Sequence, residues 1–182
     1  MNIILASNSP RRRELLTRER VEFKVIPSTY NEIENFGLTP EKYVEFLAYN
    51  KAKSVFDLYG GIVIGADTVV VLNGKILGKP KNKKDAELML KELSSSTHEV
   101  ITGYAILSKG KTIKGCEITK VTFKKLTDKQ IIDYINTGSP LDKAGAYGIQ
   151  DGDFLVDTIV GDYDNVVGLP VLKIKKLLTE LV

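Results

Sequence analysis

Apolar and polar positions follow two different periods along the chain, and each period predicts a different kind of element. The continuous apolar run Ile3–Leu5 is typical of a short buried strand, and Ile62–Leu72 is also strand-like. Between them, Pro40 opens a segment whose apolar residues recur every three or four positions until Gly60 and Gly61. This spacing predicts an amphipathic helix that glycine ends. The chain is therefore expected to alternate strands and helices.

Two hairpins are expected among the later strands. The Asn73-Gly74 pair separates Ile62–Leu72 from Lys75–Leu77, and the Lys109-Gly110 pair separates residues 99–108 from residues 112–126. The other expected elements are a strand over residues 22–26, a helix from Pro10, helices over residues 84–93, 128–135 and 170–181, and irregular loops over residues 27–39 and 138–153. Since hairpins exclude a purely parallel sheet, we predict an α/β fold with a mixed sheet and flanking helices.

Three consecutive arginines stand at the start of the first predicted helix. Ser9 is a suitable N-cap and Pro10 suits the first helical position, so Arg11, Arg12 and Arg13 fall in the first turn. A helix N-terminus favours anions, so cations placed there are best explained by a bound phosphate between them. The alternative is an exposed basic turn without a ligand.

Composition narrows the class of protein. With 182 residues, 43% of them hydrophobic, the chain fits one domain over residues 1–182, which could be divided into two lobes. A net charge of +3, from 26 basic and 23 acidic residues, is too balanced for an electrostatically driven duplex-DNA binder, so no nucleic-acid partner is expected. The chain has one cysteine and one histidine, which excludes an internal disulfide and a multi-cysteine zinc site. Without a long apolar run or a signal-peptide pattern, we expect a soluble, cytoplasmic protein with no membrane partner.

A carboxylate and two lysines are further candidates for chemistry. Asp67 follows the apolar run 62–64 and the small residues Gly65 and Ala66, so it is expected at a strand end that faces a cleft, where a metal ion or a water molecule could approach it; the alternative is a local turn hydrogen bond with Thr68. Lys51 and Lys79 could each direct a point charge at a phosphate, or could simply be solvated.

The glycine-rich segment 138–150 is a candidate binding loop. Glycines let the backbone approach a ligand closely, and Gln150 carries both the amide donor and the acceptor that reading a pyrimidine edge would need. The alternative is a structural connection with an exposed glutamine. His98 and Cys116 are expected to be ordinary sheet residues.

Seven segments in this order resemble the Maf family of nucleoside triphosphate pyrophosphatases. They are LASNSPRR, LAYNKA, GADTVV, GKP, HEVITG, PLDKAGAYGIQ and YDNVVGLP, and they span nearly the whole chain. The combination of SPRR with AGAYGIQ is similar to the subgroup that acts on dTTP and UTP. The resemblance implies a fold like that of the inosine triphosphate pyrophosphatases, with a central substrate cleft. It also implies hydrolysis of a nucleoside triphosphate to the monophosphate and pyrophosphate.

The resemblance also implies roles for individual residues. Asp67 would be the proton acceptor that activates the attacking water. The positions that set base specificity would be Arg12, Thr68 and Gln150. The positions that hold the triphosphate would be Ser7, Arg11, Lys51 and Lys79. A divalent cation, Mg²⁺ or Mn²⁺, would be held by Asp67 with Glu34 from the acidic segment 31–34.

Two positions depart from the family pattern, and several questions stay open. Ser139 stands where the family usually has glutamate, and Asp162 where it usually has serine. One alternative is a pyrophosphatase with a different base preference, such as the purine triphosphates on which the inosine triphosphate pyrophosphatases act. A nucleotide-binding regulator of cell division is the alternative to an enzyme. A homodimer is a further expectation that the sequence leaves open.

Overall fold

The computed structural model describes residues 2–35 and 37–181. Within these residues the strands are β1 (Ile3–Leu5), β2 (Lys24–Val25), β3 (Ile62–Leu72), β4 (Lys75–Leu77), β5 (Thr97–Ser108), β6 (Lys111–Phe123) and β7 (Val156–Val160). The α-helices are α1 (Pro10–Arg18), α2 (Pro40–Tyr59), α3 (Lys83–Leu93), α4 (Asp128–Asn136), α5 (Tyr163–Val167) and α6 (Val171–Thr179). Two 3₁₀ helices, Ser139–Asp142 and Ala144–Ala146, lie between α4 and β7.

The strands form one mixed sheet, as the hairpins predicted. Its order is β2-β1-β3-β5-β6-β7, and β4 pairs with β3 outside this path. β1 runs parallel to both β2 and β3, whereas β3 with β4 and β6 with β7 are antiparallel. The expected α/β fold with a mixed sheet and flanking helices is therefore confirmed.

Most predicted elements occur within a few residues of their expected limits. Thr39 caps α2 and Gly60 follows its last residue, and the capping box of Thr127 and Gln130 begins α4. The expected strand over residues 22–26 is reduced to the two residues of β2. The strand β7 and the helix α5 were not predicted. The residues of β7 are mostly exposed, and α5 has only five residues, so neither shows a readable apolar period.

The chain divides into two compact units, each with its own buried cluster. The first unit comprises Met1–Thr68, Thr102–Glu117 and Gly168–Val182, and the second comprises Val69–Ile101 and Ile118–Val167. Buried residues of the first unit include Ile4, Ala6, Ala48, Ala52, Val55, Val63, Ala105 and Leu107. Those of the second unit include Leu77, Leu90, Leu93, Val121, Phe123, Ile131 and Leu155. No helix among residues 2–35 and 37–181 is long and apolar enough to cross a membrane.

Two glycines allow α2 to lie directly against the sheet in the first unit. A Cβ atom on Gly65 would lie 2.2 Å from the Ala48 carbonyl oxygen, and one on Gly103 would lie 2.3 Å from that of Val44. These distances are shorter than any non-bonded contact a side chain can make, so both positions require glycine for this packing. The close approach brings Lys51, one helical turn beyond Ala48, to the level of Asp67. The expectation that Asp67 stands at a strand end was wrong, because β3 continues to Leu72 and Asp67 lies near its middle.

The single histidine is a buried packing residue of the second unit. His98 is 1% exposed, its Nε2 lies 2.7 Å from the Tyr147 hydroxyl oxygen, and its ring meets the rings of Phe123 and Tyr147 edge to face. Burial lowers the pKa of His98 to about 4. The imidazole is therefore neutral in the folded protein at neutral pH.

Acidification is expected to destabilise the protein through His98. The unfolded chain binds the imidazole proton below about pH 6.5, whereas the folded chain excludes it until about pH 4, so stability falls across this window. The difference corresponds to about 3 kcal/mol at the acidic end of the window. Urea denaturation of wild type and His98→Gln between pH 7.5 and 4 checks this. The variant should show a weaker pH dependence, and identical pH dependence in the two proteins would contradict it.

Candidate active site

The turn between β1 and α1 begins the site. The Ser9 side chain accepts a hydrogen bond from the Arg12 backbone N–H (3.4 Å), which confirms the predicted N-cap, and Ser7 Oγ accepts one from the Ser9 N–H (3.2 Å). Leu5 at the end of β1 pairs with Ile64 of the parallel strand β3. The chain beyond Leu5 therefore lies beside the segment of β3 that carries Asp67.

The Arg12 guanidinium is the centre of a hydrogen-bond network within the first unit. Nε donates to the Gly168 carbonyl oxygen (2.8 Å), and Nη1 donates to the Ala66 carbonyl oxygen (2.9 Å) and to Ser7 Oγ (3.2 Å). Nη2 donates to Thr68 Oγ1 (3.1 Å). All four of these hydrogen bonds are made to oxygen atoms of the protein itself. Burial lowers the pKa of Arg12, and the nearby Asp67 carboxylate acts in the opposite direction.

A lysine bridges two carboxylates beside this network. Lys51 Nζ lies 2.5 Å from Asp67 Oδ1 and 2.7 Å from Glu32 Oε1. The side chains of Lys51 and Asp67 are 12% and 13% exposed, whereas that of Glu32 is 54% exposed. Burial raises the pKa of the Asp67 carboxyl above its ordinary value, against the lowering effect of the Lys51 and Arg12 charges. Asp67 is thus a buried carboxylate with an increased tendency to accept a proton.

The structure brings most of the candidate site residues together. Ser7, Arg12 and Thr68 share the guanidinium network, and Lys51 and Asp67 form the adjoining ion pair. Arg11 lies beside them, and its charge contributes to the lowered pKa of Arg12.

Two further candidates belong to the second unit. Lys79 lies in the connection between β4 and α3, and Gln150 lies after the second 3₁₀ helix. Both side chains are exposed. Their predicted contacts with substrate stay predictions.

The carboxylates of the site are compatible with a divalent cation whose remaining ligands are phosphate oxygens of the substrate. No cluster of three or more His, Cys, Asp or Glu side chains suited to a metal occurs in the described part of the chain. The carboxylates of Asp67 and Glu32 nevertheless lie close together, because both contact Lys51 Nζ. Carboxylate oxygens are hard ligands, and Mg²⁺ is often held by one or two of them together with phosphates. The predicted partner of Asp67, Glu34, is exposed in the same acidic segment, and its metal-binding role stays a prediction.

Three residues of the network were not assigned a site role of their own from the sequence, although Glu32 lies in the acidic segment 31–34 that was expected to help bind the cation. Thr102 Oγ1 lies 2.9 Å from Thr68 Oγ1, Gly168 supplies a carbonyl oxygen to Arg12, and Glu32 pairs with Lys51. Thr102 and Gly168 lie within the segments HEVITG and YDNVVGLP, whose presence was the available signal. No periodicity distinguishes Glu32 from Glu34 in an irregular loop.

The structure gives both departures from the family pattern a local explanation. The Asp162 carboxylate accepts a hydrogen bond from the Asp164 backbone N–H (2.8 Å) at the start of α5, which is what a serine there would also do. The Ser139 hydroxyl donates to Asp151 Oδ2 (2.7 Å), so this chain has a carboxylate at the same loop but on a different residue.

Comparison with known proteins gives full-length matches in sequence. A family model described as Maf-like protein matches residues 2–181. The chain is 52% identical to the dTTP/UTP pyrophosphatase of Alkaliphilus metalliredigens, over 97% of this chain and 94% of that relative. It is 52% identical to the protein of the same name from Pyrococcus furiosus, over 97% and 93%, and 50% identical to that from Thermococcus onnurineus, over 96% and 95%.

Solved structures support the fold at a greater distance. The structure of a HAM1 protein from Coxiella burnetii superposes with a TM-score of 0.53 at 16% sequence identity, and the match covers 99% of both chains. An identity this low supports a shared fold and carries no information on substrate.

Proposed function

Because the chain belongs to the Maf family, we propose that it is a nucleoside triphosphate pyrophosphatase that cleaves UTP and dTTP to the monophosphate and pyrophosphate. The observation that carries the proposal is the buried Asp67 carboxylate beside the cations Lys51 and Arg12. Relatives about 50% identical over most of their length are named dTTP/UTP pyrophosphatase, which supports the same substrates here.

In the proposed reaction, Asp67 accepts a proton from water as the water oxygen forms a bond to the α-phosphorus. The bond between that phosphorus and the bridging oxygen to the β-phosphorus breaks, and pyrophosphate leaves with the electron pair. Lys51 Nζ donates a hydrogen bond to Asp67 Oδ1, so we assign the proton taken from water to Oδ2. Burial makes this carboxylate more basic than an exposed aspartate, which suits a general base.

The cations of the first unit stabilise the negative charge of the triphosphate. Lys51 and Arg11 are the proposed phosphate contacts, and Arg12 holds Ser7 and Thr68 in place beside them. A divalent cation, Mg²⁺ or Mn²⁺, held by Asp67 and by Glu32 or Glu34, would supply further neutralisation of the phosphate oxygens.

A nucleotide panel tests the proposal. Purified protein with Mg²⁺ or Mn²⁺ is incubated with UTP, dTTP, CTP, GTP, ATP and ITP, and the products are separated. We expect UTP and dTTP to give the monophosphate and pyrophosphate at the highest kcat/KM. Preference for ITP would contradict the pyrimidine assignment. Tight nucleotide binding without any turnover would favour the alternative function, a nucleotide-binding regulator of cell division.

The Lys51→Gln variant is expected to shift the pH dependence of catalysis. Lys51 lowers the Asp67 pKa against the raising effect of burial, so its removal should raise that pKa further. The acidic limb of the kcat/KM profile reports the base of the free enzyme and should move to higher pH. The matched control is Lys53→Gln on the same helix, where the lysine is exposed and pairs with Asp57. A limb that moves equally in both variants, or in neither, would contradict this role.

Lys79 and Gln150 should affect different kinetic quantities. Gln150→Ala removes a neutral hydrogen-bonding group and should lower the UTP to CTP ratio of kcat/KM by about 2- to 10-fold. Lys79→Ala removes a charge directed at phosphate and should weaken all triphosphates to a similar degree. Steady-state kinetics with both nucleotides separates the two. If Lys79→Ala alone altered the ratio, the two assignments would be reversed.

A further inference from the structure

A second threonine lies behind the Arg12 network. Thr102 on β5 is 0% exposed, and its Oγ1 lies 2.9 Å from Oγ1 of Thr68, which is partly exposed. Thr68 in turn receives the Nη2 hydrogen of Arg12 and lies next to Asp67. Thr102 therefore contacts a site residue from the interior of the first unit, and it has no place in the mechanism described above.

The hydrogen-bonding capacity of Thr68 limits what its hydroxyl can do. A hydroxyl group has one hydrogen to donate and two lone pairs that accept. Arginine can only donate, so Arg12 Nη2 uses one of the lone pairs of Thr68 Oγ1. The Thr68 hydrogen has two described acceptors: Thr102 Oγ1 at 2.9 Å, in a pair where either hydroxyl can donate, and the Gly168 carbonyl oxygen at 3.5 Å, a distance at which a hydrogen bond is weak.

We propose that Thr102 is a positioning residue that makes Thr68 a pure hydrogen-bond donor toward the substrate base. In the proposed arrangement the Thr102 hydroxyl is the donor of this pair and uses the second lone pair of Thr68 Oγ1, so only the Thr68 hydrogen is left to bond the substrate. The long contact with Gly168 is then exchanged for a base atom. This inference rests on the proposed function and on the base-specificity role that the resemblance implies for Thr68.

The arrangement discriminates between the two pyrimidines. Uracil and thymine carry a carbonyl oxygen at position 4, which accepts a hydrogen bond, whereas cytosine carries an amino group, which donates. A Thr68 hydroxyl with both lone pairs occupied pairs with the carbonyl and leaves the amino group without an acceptor. Thr102 therefore contributes to preference for UTP over CTP without contacting either nucleotide.

Three variants test the role of Thr102. Thr102→Val keeps the shape of the side chain and removes the hydroxyl, and Thr102→Ser retains the hydroxyl. Thr119→Val is the matched control, because Thr119 is also 0% exposed but bonds to Asp162 and Asn165 in the second unit. Thr102→Val should lower the UTP to CTP ratio of kcat/KM by about 2- to 10-fold, the value of one neutral hydrogen bond. Thr102→Ser and Thr119→Val should keep the wild-type ratio.

A binding measurement separates this inference from the proposed function. The dissociation constants of α,β-methylene UTP and α,β-methylene CTP are measured by calorimetry for wild type and the three variants, with thermal unfolding as the check of folding. A reduced preference in Thr102→Val alone supports the inference even if wild type releases no pyrophosphate, a result that would overturn only the proposed function. An unchanged ratio in folded Thr102→Val, an equal loss in Thr119→Val, or no preference for UTP in wild type would overturn it.

Discussion

Replacing Asp67 with asparagine is expected to lower kcat by about 10²- to 10⁴-fold, the usual contribution of a general base. Asparagine has nearly the same volume and can still accept a hydrogen bond from Lys51, so the packing between α2 and β3 should be retained. It cannot take the proton of the attacking water at neutral pH. Pyrophosphate release under saturating UTP measures the loss, and circular dichroism with thermal unfolding shows whether the protein is folded.

A surface aspartate supplies the control for this experiment. Asp57 also pairs with a lysine of α2, but its side chain is 53% exposed and it is not among the described hydrogen-bond partners of the Arg12 guanidinium. Asp57→Asn should leave kcat within about 2-fold of wild type, because an exposed pair contributes little to the fold. More than a tenth of the wild-type kcat in folded Asp67→Asn would remove Asp67 from the role of base.

Replacing Arg12 with alanine is expected to reduce the free energy of unfolding by about 2–4 kcal/mol. The guanidinium donates to two carbonyl oxygens and two hydroxyl oxygens from three separate parts of the first unit, and alanine would leave these acceptors without their donor. Lysine keeps the charge but presents its donors from a single nitrogen, so Arg12→Lys should recover only part of the stability. Urea denaturation at pH 7.5 measures both variants.

The neighbouring arginine of the same helical turn is the natural comparison. Arg13 is exposed, and Arg13→Ala should change the free energy of unfolding by less than about 0.5 kcal/mol. If Arg12→Ala and Arg13→Ala were equally stable, the hydrogen bonds of Arg12 would contribute nothing measurable to the first unit. The hydrogen bonds of Arg12 would then be present in the structure without stabilising the fold.

Local chemistry made the longer elements predictable. Thr39 and Gly60 mark the ends of α2, and the Asn73-Gly74 turn with its flanking strands is visible in the sequence because caps and tight turns depend on neighbouring residues. The strand β7 depends instead on pairing with β6, such as Val121 with Ile159, and its own residues carry no regular alternation. Pairing partners of this kind are not encoded locally.

The residues of the candidate site could be predicted from the sequence better than the contacts between them. Ser7, Arg12 and Asp67 stand in recognisable segments, but their meeting depends on the parallel register that sets Leu5 beside Ile64. The arginine cluster indicated a bound phosphate, and the resemblance assigned Arg11 to the triphosphate and Arg12 to base specificity. The structure adds that the Arg12 guanidinium donates to protein oxygens, one of them on Thr68. Which of two adjacent arginines bonds to these protein oxygens and which contacts the substrate depends on distances that a sequence does not contain.

In the proposed reaction, water attacks the α-phosphorus of a pyrimidine triphosphate. Hydrolysis of UTP in water enriched in ¹⁸O, followed by mass spectrometry of the products, tests it most directly. We expect UMP and pyrophosphate, with one ¹⁸O atom in the UMP phosphate and none in pyrophosphate at a single turnover. Label in pyrophosphate, or release of UDP and orthophosphate, would contradict it.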